Sequence, residues 1–375
     1  MEISQSMRKM EFDKREERLK NAKKQRLIYK NKNKRKLNIT YVMTWTGVCG
    51  GSKIILEHAN RLTEREHKVT LISHDEKPKW FKLNEKVDFI QVPWNDVLCE
   101  AIPKNTDIII ATYWREIYEC VEQNIAPVIY FEQGDYHLFD LEKLDDRTFN
   151  YIEKQLKTIN FIYTVSNFAK EKLKEIYNVE SIVIPNAVDN NVFYYEKHTK
   201  NDVPNITLIG SEEATFKRIQ NILDAIKIIG KKGYKIKLNW ITPTIPKKNT
   251  DISAIVNPPQ MLIGDTLRKT DIYICASMYE SFCLPVLEAM TCGAAIVTTN
   301  NGGNMDFVED EKNALIIEKD NIDDIVEKIE RLLNDENLKQ YLIKNGVEES
   351  ARYSWNITIS TIEEYYQEIA NYEVE

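Results

Sequence analysis

The regular alternation of short apolar runs with segments of helical periodicity constrains the fold more than any other feature. Asp107–Ala111 (DIIIA) and Val128–Phe131 (VIYF) are short runs that are apolar on both faces, whereas Lys53–Thr63 carries apolar residues at helical spacing. Strands that are apolar on both faces are typical of parallel sheets covered by helices. The pattern therefore predicts an α/β protein built on parallel sheets.

The alternation runs twice along the 375 residues, a length that suits two domains. The predicted strands are Leu37–Met43, Val69–Ser73, Asp107–Ala111, Val128–Phe131, Phe161–Val165 and Ile182–Ile184, then Asn205–Ile209, Ile236–Trp240, Ile272–Ala276 and Ala295–Thr298. We expect two doubly wound halves, with Phe193–Lys200 as a linker. Ligands of such sheets bind beyond the carboxyl ends of the strands. The predicted cleft is lined by the turns after Met43, Ala111, Phe131, Ile209, Ala276 and Thr299.

Charge and cysteine content narrow the class of protein. Residues 1–36 hold 14 Lys and Arg against 5 Asp and Glu, a net charge of +9, although the whole chain carries −7. A basic leader on an acidic body predicts either a solvated segment or contact with an anionic surface, and a membrane is favoured over nucleic acid. The six cysteines form no CxxC pair, and no apolar signal segment or membrane span is present. We expect a cytoplasmic protein, with the inner membrane face as an alternative site.

The segment Glu280–Gly293 (ESFCLPVLEAMTCG) gives the clearest indication of a ligand-binding site. Pro285 suits the first turn of a helix, which places Glu280 in the preceding loop and Glu288 about one turn inside. The free N–H groups at a helix N-terminus bind phosphate well. The spacing therefore predicts a diphosphate at the helix start, ribose hydroxyls on Glu288 and a sugar near Glu280.

This segment resembles the E-x7-E motif of family 4 retaining glycosyltransferases. The resemblance extends to Ser181–Phe193 (SIVIPNAVDNNVF), Tyr163–Leu173 (YTVSNFAKEKL), Asn301–Asp306 (NGGNMD) and Tyr353–Trp355 (YSW). It implies a GT-B fold, in which two facing Rossmann-like domains enclose a cleft. The implied boundaries are a helical or flexible leader over 1–36, an acceptor-side domain over 37–190, a nucleotide-sugar domain over 191–355 and a helix over 356–375 that crosses back.

The resemblance also implies site residues in the second half. Where the family has Gly-Arg and a later Lys, this chain has Gly210-Ser211 followed by Lys217-Arg218. We expect Lys217 to hold the diphosphate and Arg218 to replace the missing arginine; a cationic helix start is the structural alternative. The implied catalytic residues are Glu280, Lys217 and Arg218. The implied donor-binding residues are Gly51, Gly210, Ser211, Ser281, Phe282, Cys283, Leu284, Glu288, Gly302 and Gly303.

The first half offers candidates for the acceptor side. Gly50-Gly51 resembles the family's glycine turn, and the usual histidine region reads Tyr130–His137 (YFEQGDYH). Gln133, Asp135, His137 and Trp114 are therefore acceptor-side candidates. A surface position is the alternative for His137, and burial in the core is the alternative for Trp114.

The resemblance implies transfer of a hexosyl unit from a nucleotide diphosphate sugar, with UDP expected before GDP or dTDP. It also implies that the anomeric configuration is retained and that no metal or other cofactor is required. The expected acceptor is a glycan, a lipid-linked sugar or a protein, in a role such as cell-surface glycan biosynthesis, with no nucleic-acid partner. A nucleotide-sugar epimerase or hydrolase, and a non-catalytic sugar-nucleotide-binding subunit, are the alternatives. Because the first predicted strand begins at Leu37, we expect residues 1–36 to lie outside the core.

Overall fold

A computed structural model describes residues 12–196, 201–246 and 254–375. The chain divides into two compact units, one formed by Met1–Ile184 with Ile359–Glu375 and one formed by Pro185–Thr358. The boundaries differ by a few residues from those expected at 190/191 and 355/356. Part of the expected linker, residues 197–200, lies outside the described residues. Phe193, expected in that linker, is instead buried.

The first unit is an α/β layer structure. Its strands are β1 (Leu27–Tyr29), β2 (Asn38–Val42), β3 (Lys68–Ser73), β4 (Asp88–Gln91), β5 (Ile108–Ala111), β6 (Val128–Glu132), β7 (Phe161–Thr164), β8 (Ile182–Val183) and β15 (Tyr372–Val374). Its helices are α1 (residues 12–19), α2 (Gly50–Glu64), α3 (Ile117–Glu122), α4 (Tyr136–Phe139), α5 (Asp146–Leu156) and α6 (Asn167–Tyr177).

Seven strands of this unit form one parallel sheet in the order β4-β3-β2-β5-β6-β7-β8. From β2 the chain first adds strands on one side (β3, β4) and then returns to add β5 and later strands on the other side. Since β2 and β5 are parallel neighbours, the turns that follow them lie side by side at the carboxyl edge of the sheet. Helices cover the sheet, which explains why Ile108, Ile109 and Ile110 are all fully buried despite pointing to alternate faces. The predicted parallel α/β class is confirmed for this unit.

The second unit repeats the plan on six strands. These strands are β9 (Asn205–Ile209), β10 (Lys237–Thr242), β11 (Ala254–Val256), β12 (Ile272–Cys275), β13 (Ala295–Thr299) and β14 (Leu315–Ile317). Its helices are α7 (Ile219–Lys231), α8 (Gln260–Arg268), α9 (Leu284–Thr291), α10 (Ile322–Asn334) and α11 (Glu336–Ser350). The parallel order β11-β10-β9-β12-β13-β14 has its switch point between β9 and β12.

The last helix, α12, spans Trp355–Ile369, and its residues from Ile359 onward belong to the first unit. There the hydroxyl of Tyr366 lies 3.0 Å from that of Tyr41 and 2.8 Å from that of Tyr163, in the buried core. Glu363 accepts a hydrogen bond from Arg65 at 2.8 Å. These contacts anchor the C-terminal segment to the sheet.

The N-terminal segment differs from the solvated leader expected from its charge. Leu19 is 4% exposed and packs in the core of the first unit. The buried side chain of Gln25 donates to the carbonyl of Ala126 at 2.9 Å and accepts from the N–H of Val128 at 3.0 Å, at the start of β6. Strand β1 pairs with β15 in a separate antiparallel ribbon. The expectation that residues 1–36 lie outside the core is therefore wrong for Arg15, Leu19 and Gln25, whereas residues 28–36 are exposed. A few specific side chains anchor a segment whose composition is dominated by lysine.

Replacing Leu19 by Ala tests this packing. We expect the variant to lose about 2–5 kcal/mol of unfolding free energy, the usual cost of a leucine-sized core cavity. Lys20→Ala is the matched control, because Lys20 is exposed and its ion pair with Glu17 contributes little. Denaturant unfolding measures both. Equal midpoints for Leu19→Ala and the control would show that the segment does not contribute to the core.

Candidate functional site

The loops that follow β9 and β12 meet at the switch point of the second sheet. Lys217 lies in a short turn of 3-10 helix after β9, and Glu280 lies in the loop between β12 and α9. The Lys217 Nζ atom is 2.8 Å from Glu280 Oε1, and the two side chains are 23% and 16% exposed. Two residues that are 63 positions apart in sequence thus form a half-buried ion pair.

Further hydrogen bonds fix the position of Glu280. Ser277 Oγ donates to the same carboxylate oxygen at 2.9 Å. The backbone of Glu280 donates to the carbonyl of Asn301 at 2.9 Å and accepts from the N–H of Gly303 at 3.0 Å. The turns after Ile209, Ala276 and Thr299 therefore meet, as the sequence predicts.

The environment of Lys217 keeps its ammonium group charged. Burial lowers the pKa of Lys217, but the Glu280 carboxylate outweighs burial and raises the pKa above its ordinary value. Gly210 makes room for this side chain, since a Cβ atom there would lie 2.9 Å from Lys217 Cδ. Trp240 donates its indole N–H to the carbonyl of Gly210 at 2.9 Å, which fixes the end of β9.

The N-terminus of α9 lies directly after Glu280. Cys283 caps the helix in a left-handed conformation (φ 68°), and Pro285 occupies the first turn as predicted. Within the described residues, the backbone N–H groups of Phe282 and Leu284 have no protein acceptor. The Phe282 side chain is buried against Phe307, so only its backbone is available to a ligand.

A glycine loop packs against this helix start. A Cβ atom on Gly303 would lie 2.3 Å from the carbonyl carbon of Ser281, which a side chain cannot do. Gly302 has φ 88°, a conformation that favours glycine. Both glycines are thus required by the backbone itself, at the position where the sequence placed donor contacts.

Two buried thiols lie beside the ion pair. Cys275 at the end of β12 and Cys283 have sulfur atoms 3.7 Å apart. Hydrogen bonding from Cys283, together with the Lys217 charge, lowers the pKa of Cys275 to about 7 against the effect of burial. Cys283 was expected to bind the donor, and the pairing of its thiol with Cys275 was not expected from the sequence.

Three further predicted residues of the second unit, two for donor binding and one for catalysis, lie in different environments. Glu288 is the fifth residue of α9 and is largely buried. Ser211 Oγ lies 3.2 Å from Thr244 Oγ1, beside the end of β9. Arg218 does not join Lys217: its guanidinium binds Asp320 through two contacts, at 2.6 and 3.1 Å, and donates to the carbonyl of Thr215. Arg218 was expected to replace the missing arginine, but its guanidinium instead binds Asp320, a residue distant in sequence.

The first unit has its own cavity, of about 450 Å³, at the carboxyl edge of its sheet. The turns after β2, β5 and β6 line it, which confirms that the turns after Met43, Ala111 and Phe131 meet. The lining residues are Met43, Thr44, Trp45, Cys49, Gly51, Ser52, Ile55, Thr112, Tyr113, Arg115, Tyr130, Glu132, Gln133, Gly134 and Asp135.

Glu132, the last residue of β6, is a buried carboxylate in the wall of this cavity. It accepts hydrogen bonds from the Tyr130 hydroxyl at 2.7 Å and from the Gly134 N–H at 2.6 Å, and His137 Nε2 lies 3.0 Å away. Burial raises the pKa of Glu132, but His137, Tyr130 and Gly134 outweigh burial and leave the pKa below its usual value. Glu132 is therefore ionised at neutral pH.

The predicted acceptor-side residues divide into two groups. Gln133 and Asp135 line the cavity together with Gly51, which was expected to bind the donor, and Gln133 Nε2 donates to the Gly51 carbonyl at 3.3 Å. His137 is fully buried behind Glu132, so it neither lines the cavity, as an acceptor-side residue would, nor lies at the surface. Trp114 is 2% exposed and packs in the core, as its structural alternative stated, so it does not line the cavity, whereas Tyr113 and Trp45 do.

Glu132 and Arg115 line the cavity although the sequence did not predict either as a site residue. One signal was present for Glu132, since it is the first charged residue after an apolar strand and hence lies at the carboxyl edge of the sheet. Arg115 gave no such signal, because it follows Tyr113 and Trp114 in a short turn. In the structure its guanidinium lies 5.0 Å from the centre of the Tyr113 ring.

Comparison with known proteins identifies a family match for one region of the chain and a known fold for nearly all of it. Residues 248–349 match the family model described as glycosyl transferases group 1. An uncharacterized glycosyltransferase of Methanocaldococcus jannaschii, MJ1178, is 28% identical over 218 residues, which cover 56% of this chain. The aligned region spans 60% of that relative's length.

The structural likeness covers nearly the whole chain. The sucrose-phosphate synthase of Thermosynechococcus elongatus is similar with a TM-score of 0.76 at 15% identity, over 89% of this chain and 99% of that one. Anabaena Alr3699/HepE in complex with UDP-glucose is similar with a TM-score of 0.72 at 13% identity, over 88% and 98%. These likenesses show the fold, GT-B, with two Rossmann-like domains.

Proposed function

We propose that this chain is a retaining glycosyltransferase that moves a sugar from a nucleotide diphosphate to an acceptor. The observation that carries the proposal is the ion pair of Lys217 with Glu280 at the start of α9, held at a topological switch point. The match of residues 248–349 to glycosyl transferases group 1 supports it, because that region contains Glu280, α9 and the glycine loop.

In this proposal the second unit binds the donor. The N–H groups at the start of α9 and the Lys217 ammonium bind the diphosphate, and the Gly302–Gly303 backbone allows its close approach. Lys217 donates one proton to Glu280, which leaves two for phosphate oxygens. Glu288 accepts hydrogen bonds from the ribose. UDP is the first candidate for the nucleotide, since the similar HepE structure contains UDP-glucose, and GDP and dTDP are the alternatives.

The reaction breaks the bond between the anomeric carbon and the diphosphate oxygen and forms a bond from that carbon to an acceptor oxygen. The acceptor proton moves to the departing diphosphate. Lys217 and the helix start stabilise the charge of the leaving group, so the proposal assigns this role to protein groups and to no metal. Glu280 lies near the transferred sugar and stabilises the positive charge that develops on its ring.

Replacing Lys217 by Ala is the direct test. We expect kcat to fall about 100-fold or more, because the lost charge acts mainly on the transition state. Lys227→Ala is the matched control: Lys227 is an exposed lysine on α7 that pairs with the nearby Asp224. Sugar transfer from UDP-glucose and its GDP and dTDP counterparts to an acceptor extract is measured, with donor alone in parallel. Release of free sugar or of an isomer without acceptor would favour the hydrolase or epimerase alternative.

The same assay separates the two glutamates. Glu288→Ala is expected to raise the donor KM more than it lowers kcat, since ribose contacts persist through the reaction. Glu280→Gln is expected to lower kcat about tenfold or more with little change in donor KM, since it removes charge near the reacting carbon. An unchanged donor KM in the first variant would contradict the ribose contact. An unchanged kcat in the second would contradict a charge role for Glu280.

We also propose peripheral contact of the basic N-terminal segment with an anionic membrane, which suits a lipid-linked acceptor. Lys23, Lys24 and Lys30 are exposed on the first unit. Among the residues described, no helix has the length and apolar character that crossing a bilayer requires.

Charge reversal tests this contact without disturbing the buried part of the segment. The triple variant of Lys23, Lys24 and Lys30 to Glu should lose co-sedimentation with anionic vesicles at low salt, because each lysine near such a surface contributes about 1 kcal/mol. The matched control reverses Lys227, Lys231 and Lys235, three exposed lysines of the second unit. Equal sedimentation of the two variants, or none for the unmodified chain, would contradict the proposal.

A further inference from the structure

The N-terminal helix α1 buries an arginine inside the first unit. Arg15 is 9% exposed and lies one helical turn before Leu19, on the same buried face of α1. Its Nη1 atom donates to the carbonyl of Arg115 at 3.3 Å. The guanidinium also lies 3.5 Å from a carboxylate oxygen of Glu116 and 3.5 Å from one of Glu119. Arginine is rarely buried unless it is paired, so these contacts fix α1 against the turn that contains Arg115 and Glu116.

Glu116 connects this arginine to the cavity of the first unit. Its side chain is fully buried, and its Oε1 atom accepts a hydrogen bond from the Thr44 hydroxyl at 2.7 Å besides facing Arg15. Thr44 lies in the turn after β2 and lines the cavity. Among the described residues, the Oε2 atom of Glu116 has no hydrogen-bond partner. The buried carboxylate therefore depends on the guanidinium groups beside it for compensation of its charge.

Arg115 is the second guanidinium that interacts with Glu116, and it belongs to the cavity wall. Its side chain hydrogen-bonds to Tyr113, another residue of the lining. The backbone carbonyl of Arg115 accepts from Arg15 and from Gln155, the latter at 3.4 Å. The backbone that carries this cavity residue is thus held partly from α1.

The short 3-10 turn that carries Arg115 directs its side chains to different surroundings. Trp114 packs in the core, and Arg115 lines the cavity. Glu116 faces Arg15 and Thr44. With three residues per turn, successive side chains of such a turn point about 120° apart. A displacement of Glu116 therefore also moves Arg115, so the turns after β2 and β5 depend on the same buried charge.

We propose that Arg15 is a positioning residue for this cavity. Its charge compensates Glu116 and so holds Thr44, and its hydrogen bond to the carbonyl of Arg115 holds the turn after β5. The N-terminal helix then supports the cavity wall, although it precedes the first strand of the parallel sheet. An effect of Arg15 on sugar transfer rests on the proposed function, whereas its effect on the two turns does not.

Arg15→Met removes the guanidinium and keeps most of the side-chain length. We expect the uncompensated Glu116 to move, so that both turns lose their fixed positions. Amide hydrogen exchange of the full chain measures this, because each turn contains a hydrogen-bonded amide. The Thr46 N–H donates to Asp75 at 3.0 Å, and the Glu116 N–H donates to the Tyr113 carbonyl at 3.2 Å. Both turns should exchange roughly tenfold faster, whereas the buried strand β6 should not change, since local opening leaves the core closed.

A second substitution tests the compensation of charge itself. Glu116→Gln, added to Arg15→Met, removes the unpaired charge and keeps an acceptor oxygen, so protection of both turns should return. Loss of packing alone would instead give no recovery in the double variant. Arg18→Met is the matched control, because Arg18 lies on the same helix and contacts Glu119 and Glu122. It should leave the exchange of both turns unchanged.

Three results would overturn the inference: unchanged exchange of the two turns in Arg15→Met, equally faster exchange of β6, or no recovery in the double variant. If Arg15→Met does not fold, Arg15→Lys decides. Lysine keeps the charge but lacks the planar fork that reaches both Glu116 and the Arg115 carbonyl, so both turns should still exchange faster than in the unmodified chain. Equal exchange would contradict the inference.

Sugar transfer from UDP-glucose to a fixed amount of acceptor extract tests the consequence for activity. Arg15→Met should lower the rate roughly 10- to 100-fold, since a displacement of about 1 Å can cost as much, and the double variant should recover it. Affinity for UDP, GDP or dTDP should not change, because the proposed donor residues lie in the second unit. A full rate in Arg15→Met would contradict the positioning role.

The two proposals fail in different ways. If the unmodified chain binds no nucleotide and transfers no sugar, the proposed function fails, and the exchange measurements alone decide whether Arg15 holds the two turns. If the unmodified chain transfers sugar and Arg15→Met matches it in both rate and exchange, the inference fails and the proposed function stands.

Discussion

The hydrogen bonds that pair β9 with β12 place Ile272 beside Ile206 and Tyr273 beside Thr207. Both strands run in the same direction, so the loops that follow them leave the sheet at one edge. Lys217 comes from the first of these loops and Glu280 from the second, and their ion pair joins the two. The Asn301 carbonyl and the Gly303 N–H then attach the loop after β13 to the backbone of Glu280. The candidate donor site is therefore a consequence of strand order.

The first unit has the same arrangement of loops at the carboxyl edge of a parallel sheet, but the side chains there differ. Its switch point also brings three loops together, but the central charged group is a carboxylate, Glu132, held by groups that donate to it. In the second unit the central pair includes an ammonium and lies beside the N–H groups of a helix. One fold plan thus places an ion pair at the carboxyl edge of one sheet and a carboxylate held by hydrogen-bond donors at the carboxyl edge of the other.

The sequence predicted the features that depend on local pattern and on strand order. Strand runs such as Ile108–Ala111, the helix start at Pro285 and the meeting of the loops around Glu280 all follow from apolar periodicity and parallel pairing. Features that depend on distant partners were not predictable. Arg218 binds Asp320, 102 positions away, and no local signal marks that pair.

Burial of polar residues was the other limit. His137 looked like a loop residue because Gly134 and Asp135 precede it, yet it lies fully buried behind Glu132. Likewise Leu19 and Gln25 lie in a segment whose charge suggested solvation, and both are buried in the first unit. In each case a few specific contacts outweigh the average character of the segment. Composition records that average, whereas only the fold shows which side chains point inward.

The anomeric configuration of the product tests the central claim most directly, because it reports the geometry of the reaction itself. The unmodified chain is incubated with a nucleotide diphosphate sugar of α configuration and an acceptor, and the anomeric proton coupling of the product is measured by NMR. The account predicts a product with the small coupling of an α-glucoside, since the acceptor attacks from the side on which the diphosphate leaves. A β product would contradict it, because inversion requires attack from the opposite side and a general base that the account does not include.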